Sequence, residues 1–444
     1  MIHFRAAGAI QMTSEARFIQ ADRSQTRWDF IDLEGLLPAE HRARIVWSFV
    51  EGLDLSALYE AIKSREGEPG RPPPDPAVLL ALWLYATIDG VGSARHLDRL
   101  TRSDIAYRWI AGGVPLNYHG LSDFRVEHVQ VLDRLLTESV TALIGEGVVS
   151  LAEIAVDGTK VRASASRGSF KTMEKLEQIE AAVEKRLAAL KAEIERDPES
   201  GLRRQKAAQE RGVRQVKERA ARARTVLEQL QAEKKQRAKR HSAAEAKKSG
   251  VKVSLSDPEA RNMRFSDGAV RPAYNAQVAA APREGIIISA DVTERRNDSG
   301  LAVPMVDSIV TRYGKTPEKL LVDTHYATCD DIAALAEHGA GPVKVFAPLP
   351  IERDDISPRG IANRNRKRAQ EPESIKAWRS RMKTQAGREI YGRRKLIERL
   401  NAHLKNHGFG LLYVRGLIKA KAVLLLHALA NNLMAAYRLR TRLS

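Results

Sequence analysis

Across residues 171–248 the chain is dominated by Ala, Glu, Lys and Arg, and only Gly201 and Gly212 interrupt it as glycines. Met173, Leu176, Ile179, Val183, Leu187, Leu190 and Ile194 step by three or four residues, the spacing of a helix-pair seam. Residues 197–201 read as a turn, and Val213, Val216, Ala220, Leu227 and Leu230 continue the seam on the return. The tract predicts an antiparallel helical hairpin with a basic distal part at 234–241 and 247–248. Its surroundings are different. Residues 149–161 form a β-type run ending on Asp157, Gly158 and the residues after them, and strand signals return at 274–281 and 285–293. Any fold for this chain must let a long helical tract interrupt a set of strands.

Before the strands the pattern is helical. Residues 1–27 are polar and weakly patterned, a mobile arm. Residues 28–148 predict a compact all-helical domain, with helices at 42–51, 55–63, 77–88, 93–100, 104–110 and 122–145. Pro72, Pro73, Pro74 and Pro76 mark a linker; Asp75-Pro76 then opens a helix, and Ser122 is a candidate N-cap. Arg95, Arg99 and Arg125 make the domain a candidate DNA-binding module in the helix-turn-helix manner. A packing or dimerisation role is the alternative, and no single recognition helix stands out.

Lys and Arg number 73 against 55 Asp and Glu, a net charge of +18 that favours polyanionic partners, nucleic acid first. The single cysteine, Cys329, excludes an intramolecular disulfide and a cysteine-based zinc site. The longest apolar stretch, 422–436, contains His427, Asn431 and Asn432 and falls short of the ~20 residues of a membrane span. A cytoplasmic protein with no membrane segment is expected.

After the hairpin, Asp298-Ser299 caps a helix running to 313. A short buried strand at 319–323 ends on Asp323, and a helix at 329–337 and a strand at 343–347 follow. Residues 391–405 then predict one helix, with Ile390, Ile397, Leu400 and Leu404 at helical spacing. Tyr391, Arg394, Glu398 and Lys405 fall on a stripe roughly 60° wide. Taken singly, Asp157-Gly158 is a turn dipeptide, Asp323 a helix cap and Glu398 a surface ion pair. In this order they suit an α/β ribonuclease-H-like core: an antiparallel three-stranded ribbon, then a parallel crossover strand beside the first. Two carboxylates at those strands and one from a later helix are hard oxygen ligands for Mg²⁺. A pair of such ions about 3.5–4 Å apart supports in-line displacement at phosphorus.

These segments, residues 156–160, 322–326 and 391–405, resemble DDE transposases of bacterial insertion sequences. The likeness is to the group with the Tyr-(2)-Arg-(3)-Glu-(6)-Lys signature, and residues 118–125 resemble the helical domain that precedes its catalytic core. The resemblance implies a ribonuclease-H-like DDE domain over 149–444, interrupted by a hairpin insertion at 168–250. It implies that Asp157, Asp323 and Glu398 are catalytic and hold Mg²⁺, for which Mn²⁺ can substitute. Tyr391, Arg394 and Lys405 would hold DNA near the scissile phosphate, as a cationic stripe beside a metal-bound acid is suited to do. It further implies a homodimer that binds terminal inverted repeats of double-stranded DNA, cleaves 3′ ends and transfers strands. His325 departs from the pattern, since small residues are commoner before the tyrosine. Asp291 or Asp298 is an alternative middle acid. A transposase-derived DNA-binding protein without catalysis and a stand-alone structure-specific nuclease are the rival functions.

Overall fold

The computed structural model describes residues 32–64, 72–196, 203–240, 250–350 and 358–443. The expected arm at 1–27, the turn at 197–201 and the basic residues at 247–248 lie outside them. The described chain opens with helices α1 (Arg42–Glu51), α2 (Ser56–Glu60), α3 (Pro76–Ile88), α4 (Ala94–Ser103), α5 (Ile105–Ala111), α6 (Tyr118–Glu127) and α7 (Val129–Gly145). α3 is apolar all round and almost wholly buried, so the others pack about it. Its start is fixed as its sequence suggests: Pro76 occupies the first turn and the Asp75 carboxylate accepts the Ala77 N–H at 2.8 Å. The expected helix at 122–145 is instead two. Asn117, not Ser122, caps α6 by accepting the Gly120 N–H at 3.0 Å, and the chain breaks at His128.

The second half is a mixed sheet with helices around it. Its elements are β1 (Glu153–Arg162), β2 (Phe170–Lys171), α8 (Met173–Arg196), α9 (Arg203–Arg240), β3 (Val253–Ser254), β4 (Arg261–Arg264), β5 (Val270–Ala281) and β6 (Ile286–Thr293). They continue with α10 (Ala302–Tyr313), β7 (Lys319–Leu321), α11 (Cys329–Ala336), β8 (Lys344–Phe346), α12 (Pro358–Ala369), α13 (Glu373–Lys383), α14 (Gln385–Gly392), α15 (Lys395–Leu404) and α16 (Leu417–Leu443). β5 pairs antiparallel with β1, β4 and β6; β7 pairs parallel with β1, and β8 parallel with β7. Long strands β1, β5 and β6 thus form the ribbon, and β7 returns beside β1 through α10. β4 begins in a stretch, residues 257–263, whose sequence reads as a loop. Its residues have little apolar alternation, and pairing with the long β5 makes them a strand.

α8 and α9 lie antiparallel. Glu184 meets Lys217 at 3.0 Å and Glu180 meets Arg224 at 3.2 Å. Leu176, Val183 and Leu190 are buried against Ala220, Ala223 and Leu227. Leu176, Ala223, Leu227 and Val253 form a small apolar cluster separate from the main core. The two halves of the chain are joined more firmly: the Arg312 guanidinium on α10 bonds the Asp133 carboxylate at 2.6 Å and the Thr137 hydroxyl at 2.7 Å on α7.

α16 is long and apolar enough to cross a membrane by length and composition, yet two-thirds of that window is buried inside the protein, so it is a core helix. Its polar residues have internal partners. Asn432 donates to the Ile287 carbonyl and accepts the Ile287 N–H, each at 2.7 Å, and Asn431 donates to the Gly285 carbonyl at 2.8 Å. His427 is wholly buried beside Phe409, and burial pushes its pKa down to about 3 from 6.5. The unfolded chain therefore binds a proton here that the folded chain refuses. The stability this ring contributes is present above about pH 6.5 and is lost as pH falls toward 3, at about 1.4 kcal/mol per unit. His427→Gln should flatten the fall of Tm between pH 6.5 and 4; parallel pH–Tm curves for variant and parent would refute this.

Candidate active site

β1 presents Glu153 and Asp157 on one face, four residues apart in a strand whose side chains alternate. Asp157 does not end the strand as an exposed acid. The strand runs five residues further, and the Asp157 side chain is 15% exposed. Desolvation pushes its carboxyl above the usual range, the Arg394 guanidinium and the Asn401 amide pull it back, and Asp323 and Asp298 add to the rise. Arg394 donates to one carboxylate oxygen of Asp157 at 2.6 Å, and Asn401 donates to the other at 2.8 Å.

The signature stretch is not one helix. Tyr391 lies at the end of α14, Arg393 and Arg394 form the joint, Glu398 lies in the first turn of α15, and Lys405 follows its last residue. The break has a physical cause in the partners of the two arginines. Arg393 pairs with Glu153 at 2.5 Å and Arg394 with Asp157 at 2.6 Å, so consecutive side chains are drawn to the same strand. Arg394 also donates to Glu398 at 2.6 Å, bridging two of the three expected acids. Glu398 itself is largely exposed. Partial burial raises the Tyr391 hydroxyl, with Arg394 opposing and Asp323 and Glu398 reinforcing the shift. Desolvation lowers the Lys405 ammonium, and the Asp157 charge acts in the other direction. Tyr391 thus lies in the field of Asp323, Lys405 in that of Asp157 and Arg394 in that of both, while Glu398 joins them through Arg394.

Asp323 sits two residues past β7, beside β1. One of its oxygens accepts the N–H groups of His325 at 2.9 Å and Tyr326 at 3.2 Å, which folds the chain back after the strand. His325 is exposed in that turn, and Tyr326 is fully buried. The Tyr326 hydroxyl donates to the Gln277 side-chain oxygen. Asp298 was expected to cap a helix; its carboxylate instead accepts from Asn275 at 2.7 Å and from Gln277 at 2.9 Å. Asp291 opposes Gln277 across the β5–β6 ladder, but it is exposed and its carboxylate pairs with Lys421 at 3.3 Å. Gly158 opposes Gln277 across the β1–β5 ladder, and a Cβ there would come within 2.2 Å of an Asp298 oxygen. The Asp-Gly pair is therefore no turn: the glycine makes room for Asp298 behind the strand that carries Asp157. Sequence reading missed Glu153, Gln277, Arg393 and Asn401, which carry no motif and act only through the fold.

Among the described residues no three His, Cys, Asp or Glu side chains are gathered as a metal-binding group. Carboxylate and amide oxygens are the donor type that a divalent cation takes, and both Asp157 oxygens here accept hydrogen bonds, from Arg394 and Asn401. A buried carboxylate with a raised pKa needs positive charge, and Arg394 supplies it between Asp157 and Glu398. Beside it, the Asn401 side-chain oxygen is buried without a hydrogen-bond partner. Of the cations expected to meet DNA, Arg95 and Arg99 are exposed one turn apart on α4. Arg125 is a correction: it is buried, stacks on Trp83 at 4.6 Å and donates to the Gly92 carbonyl, so it packs the core.

Gly158→Ala should cost about 1–3 kcal/mol, the loss of buried hydrogen bonds around Asp298. Because the closest collision is with that side chain and the next is with the flexible Gln277 amide at 2.7 Å, Gly158→Ala added to Asp298→Ala should cost less than on its own. Additive losses in a thermal or chemical double-mutant cycle would exclude the steric account.

A protein-family model described as a transposase DDE domain matches residues 234–433, a span that holds Asp323 and Glu398 and begins after Asp157. A second, described as a transposase domain, matches residues 31–127. No curated protein and no solved structure matches the chain. The helical first half and mixed sheet agree with what a DDE transposase core requires, and such enzymes act on DNA and use divalent metal ions. With a transposase domain followed by a transposase DDE domain, the chain has the architecture of an insertion-sequence DDE transposase.

Proposed function

We propose that the chain binds the terminal inverted repeats of its element, cleaves their 3′ ends and joins the freed hydroxyls to target DNA. The observation that carries this reading is the Arg394 guanidinium at the α14–α15 joint, which bonds both Asp157 on β1 and Glu398 on α15, while Asp323 in the turn after β7 acts electrostatically on Asp157. The strand order supports a ribonuclease-H-like core over 149–444, with 168–250 as its hairpin insertion and 28–148 as the end-binding domain. Two element ends must be held together, so the working unit is a homodimer acting in the bacterial cytoplasm.

Asp157, Asp323 and Glu398 would hold Mg²⁺, which supplies charge neutralisation and an activated water when bound. The chain's own groups do the rest. Arg394 balances Asp157 and Glu398 and presents a planar guanidinium suited to a phosphate. The Tyr391 hydroxyl and Lys405 ammonium are further donors for phosphate oxygens, and the buried Tyr326–Gln277–Asp298 chain keeps the strand and the Asp323 turn in fixed relation.

Glu398→Gln should abolish Mg²⁺-dependent nicking and strand transfer on DNA carrying the element's ends, leaving DNA affinity within about twofold; cleavage by the variant at the parent rate would remove Glu398 from the site. Arg394→Gln offers a test without catalysis. It leaves Asp157 buried and unpaired, at a cost of about 3–5 kcal/mol. Mg²⁺ should raise the Tm of this variant more than that of the parent, because the ion replaces the missing charge. Equal Tm shifts in the two proteins would mean that the pocket does not take the cation.

A further inference from the structure

The charge of the chain is unevenly placed. α9 carries fourteen Lys and Arg against four Glu, whereas α8 carries five against six. More than half of the net +18 therefore belongs to one helix. The seam with α8 accounts for only part of it, through Lys217 and Arg224. Arg211 and Arg222 have another setting. They are eleven residues apart, which places them within about 20° of each other, roughly opposite the seam and about 16 Å apart along the axis. Both are exposed, and neither forms an ion pair among the described residues. Arg214 adjoins them, exposed and bridged to Glu210.

Glu218 lies between the two on the same face, one turn before Arg222, and with Arg211, Arg214 and Arg222 around it the face keeps a net positive charge that gains from a polyanion. The place of the hairpin narrows the choice. It leaves the sheet beyond Arg162, five residues past Asp157 on the same strand, or roughly 17 Å. A cleft of about 420 Å³ opens at that point, lined by the exposed Arg162 and Arg167 and by Arg271. One turn of duplex, about 34 Å, would carry DNA from a phosphate at Asp157 beyond the root of the hairpin. α9 itself spans about 57 Å.

Resting on the DNA reading above, we infer that the outer face of α9, centred on Arg211 and Arg222, is a second binding surface for the backbone of duplex DNA flanking the reacting end. Phosphates carry no base identity, so the surface adds affinity that is indifferent to sequence and sensitive to salt. The apolar seam lies on the opposite side, so binding leaves the α8–α9 packing undisturbed.

The test is metal-free binding of the full chain to two duplexes carrying the element's end, one with about 5 and one with about 25 flanking base pairs. Arg211→Gln/Arg222→Gln should weaken binding to the long duplex on the order of tenfold at 0.2 M salt and lower its salt slope by about 2. Binding to the short duplex should not change, and Arg211→Lys/Arg222→Lys should restore the slope. The comparison variant, Lys185→Gln/Lys191→Gln on α8, removes the same charge from the other helix and should bind like the parent. Equal loss on both duplexes, equal loss in the α8 variant, or an unchanged slope would overturn the assignment. Because no cleavage is measured, a failure of the catalytic reading with Glu398→Gln leaves this result standing. A parent that binds neither duplex overturns both.

Discussion

The guanidinium of Arg394 holds Asp157 and Glu398 at once, and much of the local geometry follows from that requirement. A carboxylate in the middle of a sheet, shielded by a helix, is costly to ionise without a nearby cation. Arg394 can reach it only if the helix that carries Glu398 lies across β1. Arg393 then meets Glu153 four residues earlier on the strand, and the chain breaks between α14 and α15 to let two consecutive arginines point to one strand. Asn401, one turn beyond Glu398, secures the second oxygen of Asp157. The acidic pocket is therefore also the joint between the sheet and the C-terminal helices, and changes made for chemistry there will register in stability.

Behind the strand a second polar group does different work. Asp298, Asn275, Gln277 and Tyr326 link β5, the start of the α10 segment and the turn after β7. All are partly or fully buried, which makes their hydrogen bonds worth most when complete. Gly158 is the point at which this group touches the strand of Asp157, and its lack of a side chain lets the two approach.

Much of the fold was legible in the sequence because it depends on periodicity. The long strands at 274–281 and 285–293 and the helix at 42–51 have strong patterns that the structure reproduces. What escaped was set by distant partners. β4 exists because β5 is long, and the signature helix breaks because two arginines share a strand. Asp298 is drawn from the helix start by amides on β5. Among site residues, spacing drew attention to Tyr391, Arg394, Glu398 and Lys405, of which Arg394 bonds Asp157 and Glu398 directly. It could not show that Arg125 is enclosed by Trp83 and Gly92, since a buried arginine and an exposed one look alike in one chain.

The paired asparagines of α16 have a consequence for assembly. Asn432 satisfies both backbone groups of Ile287 on β6, and at the opposite side of the sheet Arg381 and Trp378 donate to the carbonyls of Val345 and Ala347 around β8. Strand borders left open invite a strand from another molecule. Here side chains occupy the backbone groups of Ile287 on one border and of Val345 and Ala347 on the other, so at these positions an incoming strand would find its partners already taken.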